Sequence, residues 1–206
     1  MSPHTVEFVQ TLLEYDRAAI AEGQWHRLVT GHFVHHSLDH LFWDLTVFVV
    51  LLPAAVRLTG RLCIAALGIA ALTISLGMWG LQPQFATYRG LSGLDSTLFA
   101  IVVTCWMTRS LQERRWATLC VAGVSFIGFT GKAAFETATG VCLCLFVDAA
   151  DAGFTPVPFA HAVGGAVGMV VTCCVGIARG RLPHPSPGSP STPTLLSDGH
   201  QSTPST

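Results

Sequence analysis

The sequence predicts an all-α polytopic membrane protein, on the strength of its composition, its apolar runs and the lack of strand-like alternation. Charged residues make up 11% of the 206 residues and hydrophobic residues 50%, and the mean hydropathy is +0.53. Soluble domains carry about 25% charged residues, so this chain lacks the charges for a surface that faces water on all sides. Without the period-two pattern of a membrane β-barrel, helices are the expected spanning structures.

Charge and cysteine content exclude other classes of protein. The net charge of −1 provides no basic face, so we expect no nucleic-acid partner. The seven cysteines lie mostly in apolar stretches and without the spacing of metal ligands. We therefore interpret them as small buried hydrophobic residues and expect neither a disulfide framework nor a metal site built from them.

Five apolar runs predict five membrane-spanning helices, because crossing a hydrocarbon core of about 30 Å takes roughly 20 helical residues. The predicted spans are residues 39–58, 62–82, 91–109, 115–131 and 157–178. The apolar segment Thr137–Val147 is too short to cross, and we predict a re-entrant or interfacial segment there. Thr5–Ile20 has the apolar spacing of a helix, but its acidic and basic side chains exclude a span or a signal peptide.

The basic residues predict the orientation in the membrane. If the spans alternate in direction, seven of the eleven Lys and Arg residues fall on one side: Arg57, Arg61, Arg109, Arg114, Arg115, Arg179 and Arg181. The positive-inside rule makes that side the cytoplasm. The chain then divides into an outer N-terminal segment and loop at 1–38, a transmembrane domain at 39–182, and a cytoplasmic tail at 183–206. The tail is rich in Pro, Ser and Thr, and we expect it to be disordered.

A cluster of polar side chains marks the start of the first span. It comprises His32, His35, His36, His40 and Asp44. Because His36, His40 and Asp44 are four residues apart, they share one helical face. Three interpretations stand at this point: a zinc site, since imidazole and carboxylate suit zinc; a catalytic site; or histidines that hydrogen-bond headgroups and water.

Two further motifs place polar groups in spans, where such groups are costly. Gly90-Leu91-Ser92-Gly93 opens the third span, where the free N–H groups of a helix start are suited to hold a developing oxyanion. In the fifth span, Gly164, Gly165 and Gly168 form a smooth stripe beneath His161. Taken alone, each motif is also explained by close helix packing.

Depth connects the three motifs. His40, Ser92 and His161 each lie near the outer end of their predicted span. A serine and a histidine at matching depth, beside a histidine-rich site, predict a nucleophile, its base and an oxyanion hole. Water must reach these groups, so we expect a polar cavity open to the outer side.

The joint pattern is His-x4-His at His35 and His40, Gly-x-Ser-Gly at Gly90–Gly93, and Ala-His-x2-Gly-x3-Gly at Ala160–Gly168. In this order it resembles the rhomboid intramembrane serine proteases, and Trp25–His35 is similar to the outer loop that enters that family's second helix. The resemblance covers about residues 13–178. Three stretches are more similar to the rhombosortase branch: Leu13–Arg17, Thr30–His32 and Lys132-x3-Glu136-x2-Thr139-Gly140.

The resemblance implies a six-helix rhomboid-like bundle that hydrolyses membrane-anchored proteins near the outer face of a bacterial inner membrane. It implies Ser92 as the nucleophile and His161 as the general base and acid, with no cofactor and no metal. The Ser92 N–H and the His40 side chain would hold the oxyanion, with His35 and the glycines of Gly90–Gly93 in support. The expected partners are the bilayer and membrane-anchored substrates. For the rhombosortase branch these carry a C-terminal sorting tail with a small-residue motif, a hydrophobic helix and basic residues.

The chain departs from the family pattern at three points. Asp44 replaces an oxyanion Asn, and Ser96 replaces the aromatic or His that often packs on the catalytic His. The family's first transmembrane helix finds no counterpart among the five predicted spans, which we expect to correspond to its helices two to six.

Asp44 needs an explanation, because an ionised carboxylate only accepts hydrogen bonds and its charge repels an oxyanion. Either Asp44 stays protonated, or it accepts from His40 one turn earlier, favours the imidazolium form and aims the other ring N–H at the oxyanion. We favour the second arrangement. Two other hypotheses stay open: an inactive rhomboid-like protein that binds membrane clients, and a membrane protein that binds a metal through the His cluster.

Overall fold

The computed structural model describes residues 3–139 and 157–180, and helices dominate them. The elements in chain order are α1 Pro3–Leu13, β1 Tyr15–Asp16, α2 Arg17–Ala21, α3 Arg27–Thr30, α4 Leu38–Thr59, α5 Leu62–Leu81, β2 Thr87–Tyr88, α6 Ser92–Gln112, α7 Trp116–Thr139 and α8 Pro158–Gly180. A 3₁₀ turn at Gly31–Phe33 precedes α4. The predicted tail at 183–206 lies outside the described residues.

Within the described residues, four helices are long and apolar enough to cross a membrane. They are α4, α5, the stretch Trp116–Glu136 of α7, and the stretch Pro158–Gly176 of α8. The chain is therefore an all-α integral membrane protein, as its composition predicts. The predicted spans at 39–58 and 62–82 agree with α4 and α5 to within a residue at each end.

The predicted third span is a helix, α6, but it is less apolar than the other four and is not among them. Its position explains this composition. α6 packs against α4, α5, α7 and α8, and its side chains at Asp95, Ser96 and Thr97 are buried. A helix surrounded by protein needs less lipid-compatible surface than one at the edge of a bundle, so it tolerates more polar residues.

The end of the predicted fourth span is wrong, because α7 continues from 131 to Thr139. The sequence prediction stopped at Lys132, a charged residue. In the structure Lys132 Nζ lies 2.8 Å from Glu136 Oε1, one helical turn away. This i,i+4 pair neutralises both charges and lets the helix continue. The first three residues of the predicted segment Thr137–Val147 thus belong to α7, and the rest of that segment lies outside the described residues.

The predicted helical spacing over Thr5–Ile20 is interrupted by a short strand. β1 pairs antiparallel with β2, so that Tyr15 faces Tyr88 and Asp16 faces Thr87. The Asp16 carboxylate then accepts from the Ala19 N–H at 2.9 Å and caps α2. A hydrogen-bonded pair of two-residue strands leaves no periodic signal in the sequence, which is why the prediction missed it.

This strand pair anchors the N-terminal segment to the loop in front of α6. Glu14 Oε2 accepts from Arg89 Nε at 2.6 Å, and the Gly31 carbonyl accepts from the Gly90 N–H at 3.3 Å. The Arg17 guanidinium donates to three carbonyls at the end of α5, those of Met78, Trp79 and Gln82. The N-terminal segment therefore holds both the end of α5 and the start of α6 in place.

Candidate active site

Ser92 is the first residue of α6. Two residues before it stands Gly90, a position that suits no other residue. Gly90 has φ +125°, a conformation that side chains with a Cβ rarely adopt. A Cβ there would also lie 3.1 Å from His40 Cε1 and 3.4 Å from Asp44 Oδ2. Gly90 thus lets α4 approach the loop closely. Ser92 itself is partly exposed, at a helix start where backbone N–H groups lack intrahelical partners.

Asp44 connects α4 to this loop through one carboxylate oxygen. Its Oδ2 accepts from the Leu91 N–H at 3.0 Å and lies 3.3 Å from Nε2 of both His35 and His40. A carboxylate that faces one N–H donor and two imidazole nitrogens acts as an acceptor. The structure therefore places His35, His40 and Asp44 together. The role of the other His40 nitrogen towards an oxyanion stays a prediction.

His161 is carried to the start of α6 by close contact between α6 and α8. A Cβ on Gly164 would collide with the Gly93 carbonyl, and one on Gly168 would collide with the Thr97 carbonyl. Gly93 is tight as well, since a Cβ there would lie 2.6 Å from Ile74 Cδ1. Gly164 and Gly168 of the predicted stripe are thus the surface on which α6 and α8 meet, whereas Gly165 faces Phe129 of α7.

The hydrogen bond that the structure shows for the His161 ring is to Ser96, one helical turn after Ser92. His161 Nδ1 lies 3.0 Å from Ser96 Oγ, and Ser96 Oγ donates to the Ser92 carbonyl at 2.7 Å. Ser96 therefore contacts both the Ser92 backbone and the His161 ring. From the sequence, Ser96 stood out only as a departure from the family pattern, although its i,i+4 spacing from Ser92 was a usable signal.

Two aromatic residues that no sequence motif indicated flank the site. Phe129 of α7 meets the His161 ring edge to face, with ring centroids 6.5 Å apart. The Tyr88 hydroxyl donates to the Gly90 carbonyl at 3.1 Å and lies within hydrogen-bonding reach of the Ser92 side chain. Burial raises the pKa of Tyr88, so its hydroxyl stays neutral beside the serine.

An apolar cleft of about 160 Å³ opens beside His161 between α6, α7 and α8. Its walls include Phe99, Phe126, Phe129 and Met169. Such a lining accepts an apolar side chain and keeps water away from one face of the imidazole. The structure thus offers His161 a polar partner on one side and an apolar space on another.

The predicted histidine cluster does not act as one unit. His32 lies apart from the Asp44 group, with its Nε2 3.0 Å from the Ala71 carbonyl and 3.2 Å from Ser75 Oγ. Burial lowers the pKa of His32 to about 4, so it is a neutral residue that ties the 3₁₀ turn to α5. Within residues 3–139 and 157–180, no three His, Cys, Asp or Glu side chains are grouped to hold a metal ion.

Comparison with known proteins does not assign the chain to a family. No protein-family model, curated protein or solved structure matches the chain.

Proposed function

We propose that the chain is a rhomboid-type intramembrane serine endopeptidase that cleaves membrane-anchored proteins near the outer face of a bacterial inner membrane. The observation that carries the proposal is the α6–α8 contact. It brings His161, from a distant part of the chain, to the helix start that bears Ser92, linked through Ser96. The sequence resemblance to the rhomboid proteases supports the same pair of residues.

Ser92 and His161 supply the chemistry of acyl transfer. His161 takes the proton of the Ser92 hydroxyl while Oγ forms a bond to the scissile carbonyl carbon, and the carbonyl π electrons move onto oxygen. The C–N bond then breaks, and the leaving amine takes the proton from His161. Water repeats the sequence on the acyl-enzyme and releases the second product. The Ser92 N–H and His40 face the oxyanion, and Asp44 holds His40 through Nε2.

For the substrate we propose proteins with a C-terminal sorting tail. This part rests on the similarity of three short stretches to the rhombosortase branch. Such a tail offers a small-residue motif, a hydrophobic helix and basic residues. An apolar cleft beside His161 suits the hydrophobic part of a substrate of this kind.

One observation favours a second candidate, an inactive rhomboid-like protein that binds membrane clients. In the described part of the chain, the His161 ring bonds to Ser96, and Ser92 lies beside the Tyr88 hydroxyl. Asp44 in place of Asn adds a negative charge close to the oxyanion position. Active-site labelling separates the two candidates.

The first prediction concerns labelling and turnover in purified full-length protein. We expect a mechanism-based serine probe to label wild type, and Ser92→Ala or His161→Ala to abolish both labelling and cleavage of a test substrate with a sorting tail. Loss of either member removes several orders of magnitude, because the two act as one unit. Ser110→Ala is the matched control, since Ser110 is a buried serine at the far end of the same helix. Cleavage by Ser92→Ala at the wild-type rate would exclude the protease.

A further inference from the structure

The hydroxyl of Ser96 has a single proton and two polar neighbours, a carbonyl and an imidazole nitrogen. Ser96 Oγ donates to the Ser92 carbonyl at 2.7 Å. The same oxygen lies 3.0 Å from His161 Nδ1. The Ser92 carbonyl is the nearer partner and only accepts, so we assign the Ser96 proton to it, and Oγ then offers Nδ1 a lone pair. A hydrogen bond between them therefore needs the proton on Nδ1. Ser96 is 2% exposed, so its hydroxyl finds its partners within the protein.

We propose that Ser96 is a positioning residue that holds neutral His161 in the Nδ1–H tautomer, with the lone pair on Nε2. Neutral imidazole has one donor nitrogen and one acceptor nitrogen, and the partner of one nitrogen decides the role of the other. With Nδ1 donating to Ser96, Nε2 is the nitrogen that takes the Ser92 proton. The catalytic consequence rests on the proposed function, whereas the tautomer itself does not.

The arrangement also serves the charged state of the ring. After proton transfer His161 is an imidazolium, and Nδ1–H still donates to Ser96 Oγ. A chain of two hydrogen bonds then runs from Nδ1–H to Ser96 Oγ and from Oγ–H to the Ser92 carbonyl, and each bond in such a chain polarises the next. Ser96 thus orients the base and disperses its charge with a neutral hydroxyl, at the position where the family often has an aromatic or His.

Helix geometry makes Ser96 suited to this role. It lies one turn after Ser92, so the two side chains share a face of α6. The contact between Gly93 and Gly164 brings α8 against that face. Ser96 is an unsuitable nucleophile, because it lies inside the helix, where backbone N–H groups are already bonded and none is left to hold an oxyanion.

The test that does not depend on proteolysis is ¹⁵N NMR of the His161 ring in full-length protein in detergent micelles. The signals are assigned with His161→Gln, and the ring is observed in its neutral state. We expect a protonated Nδ1 and a bare Nε2 in wild type and in Ser96→Thr, which keeps the hydroxyl. In Ser96→Ala we expect the ring to shift towards the Nε2–H tautomer, whereas Ser110→Ala keeps the wild-type signals. An Nε2–H ring in wild type, or an unchanged ring in Ser96→Ala, overturns the proposal.

Turnover supplies the second measurement. We expect Ser96→Ala to lower kcat by about tenfold to a hundredfold, the scale of one lost hydrogen bond to a charged group. KM should stay near wild type, since the buried side chain does not reach substrate, and Ser96→Thr should restore kcat. If Ser92→Ala still cleaves, the protease proposal fails and the NMR result alone decides on Ser96. If Ser92→Ala is inactive but Ser96→Ala cleaves at the wild-type rate, the positioning role fails alone.

Discussion

At the scale of single residues, Asp44 joins three groups through one oxygen: the Leu91 N–H and the Nε2 atoms of His35 and His40. Asp44→Ala leaves the Leu91 N–H without its acceptor and removes the carboxylate beside both imidazoles. An unsatisfied buried donor costs about 1–3 kcal/mol. We therefore expect Asp44→Ala to reduce kcat. His40→Ala should reduce it further, by about a hundredfold to a thousandfold, because in the proposed mechanism it removes an oxyanion donor.

Asp44→Asn is the informative partner in that series. Its amide keeps an oxygen for the Leu91 N–H and gains an NH₂ group that is able to donate to the oxyanion. We expect it to retain activity when all three variants are compared in one cleavage assay. If Asp44→Ala and His40→Ala both leave kcat unchanged, the oxyanion assignment fails and only the roles of Ser92 and His161 remain.

At the scale of helices, the glycine stripe of α8 predicts a position-dependent effect on stability. Gly164→Ala drives a methyl group into the Gly93 carbonyl, and overpacking of this kind costs about 1–3 kcal/mol. Gly176 lies on the same helix, and a methyl group added there would meet nothing within 4 Å. Gly176→Ala should therefore be neutral or slightly stabilising, since alanine favours the helix.

Thermal unfolding in detergent measures this difference. We expect a lower midpoint for Gly164→Ala and an unchanged or higher one for Gly176→Ala. Probe labelling of Ser92 should fall in parallel for Gly164→Ala, because the added methyl pushes His161 away from α6. Equal midpoints for the two variants would show that the α6–α8 contact is looser than the structure has it.

The same helices show which parts of the structure the sequence predicts and which it does not. Runs of apolar residues predict α4 and α5 almost to the residue, because lipid demands continuous apolarity. The prediction ended α7 too early. A charged residue fits in a span when an opposite charge one turn away neutralises it, and the sequence alone does not show that Lys132 and Glu136 form such a pair. The bond between Ser96 and His161 depends on how α6 and α8 are rotated against each other. That rotation is decided by tertiary packing at Gly93 and Gly164, which the apolar pattern does not encode.

At the scale of the whole molecule, the number of crossings depends on α6. Its 21 residues correspond to about 30 Å of helix, which matches the hydrocarbon core. Four of its polar residues, Asp95, Ser96, Thr97 and Ser110, are buried. The loop before it contains Arg89, whereas Arg109, Arg114 and Arg115 cluster at its far end. Length and charge thus both favour a helix that crosses towards the cytoplasm.

Reporter fusions at three positions test this arrangement. We expect a fusion near Gln84 to report the outer side, and fusions after Glu113 and after Arg181 to report the cytoplasm, as the positive-inside rule requires. Alkaline phosphatase, which is active only outside, and green fluorescent protein, which is fluorescent inside, give opposite signals at each position. If Gln84 and Glu113 lie on the same side, α6 does not cross the membrane. If Gln84 lies in the cytoplasm, Ser92 lies on the cytoplasmic side. That is the wrong side for cleaving exported proteins near the outer face of the inner membrane.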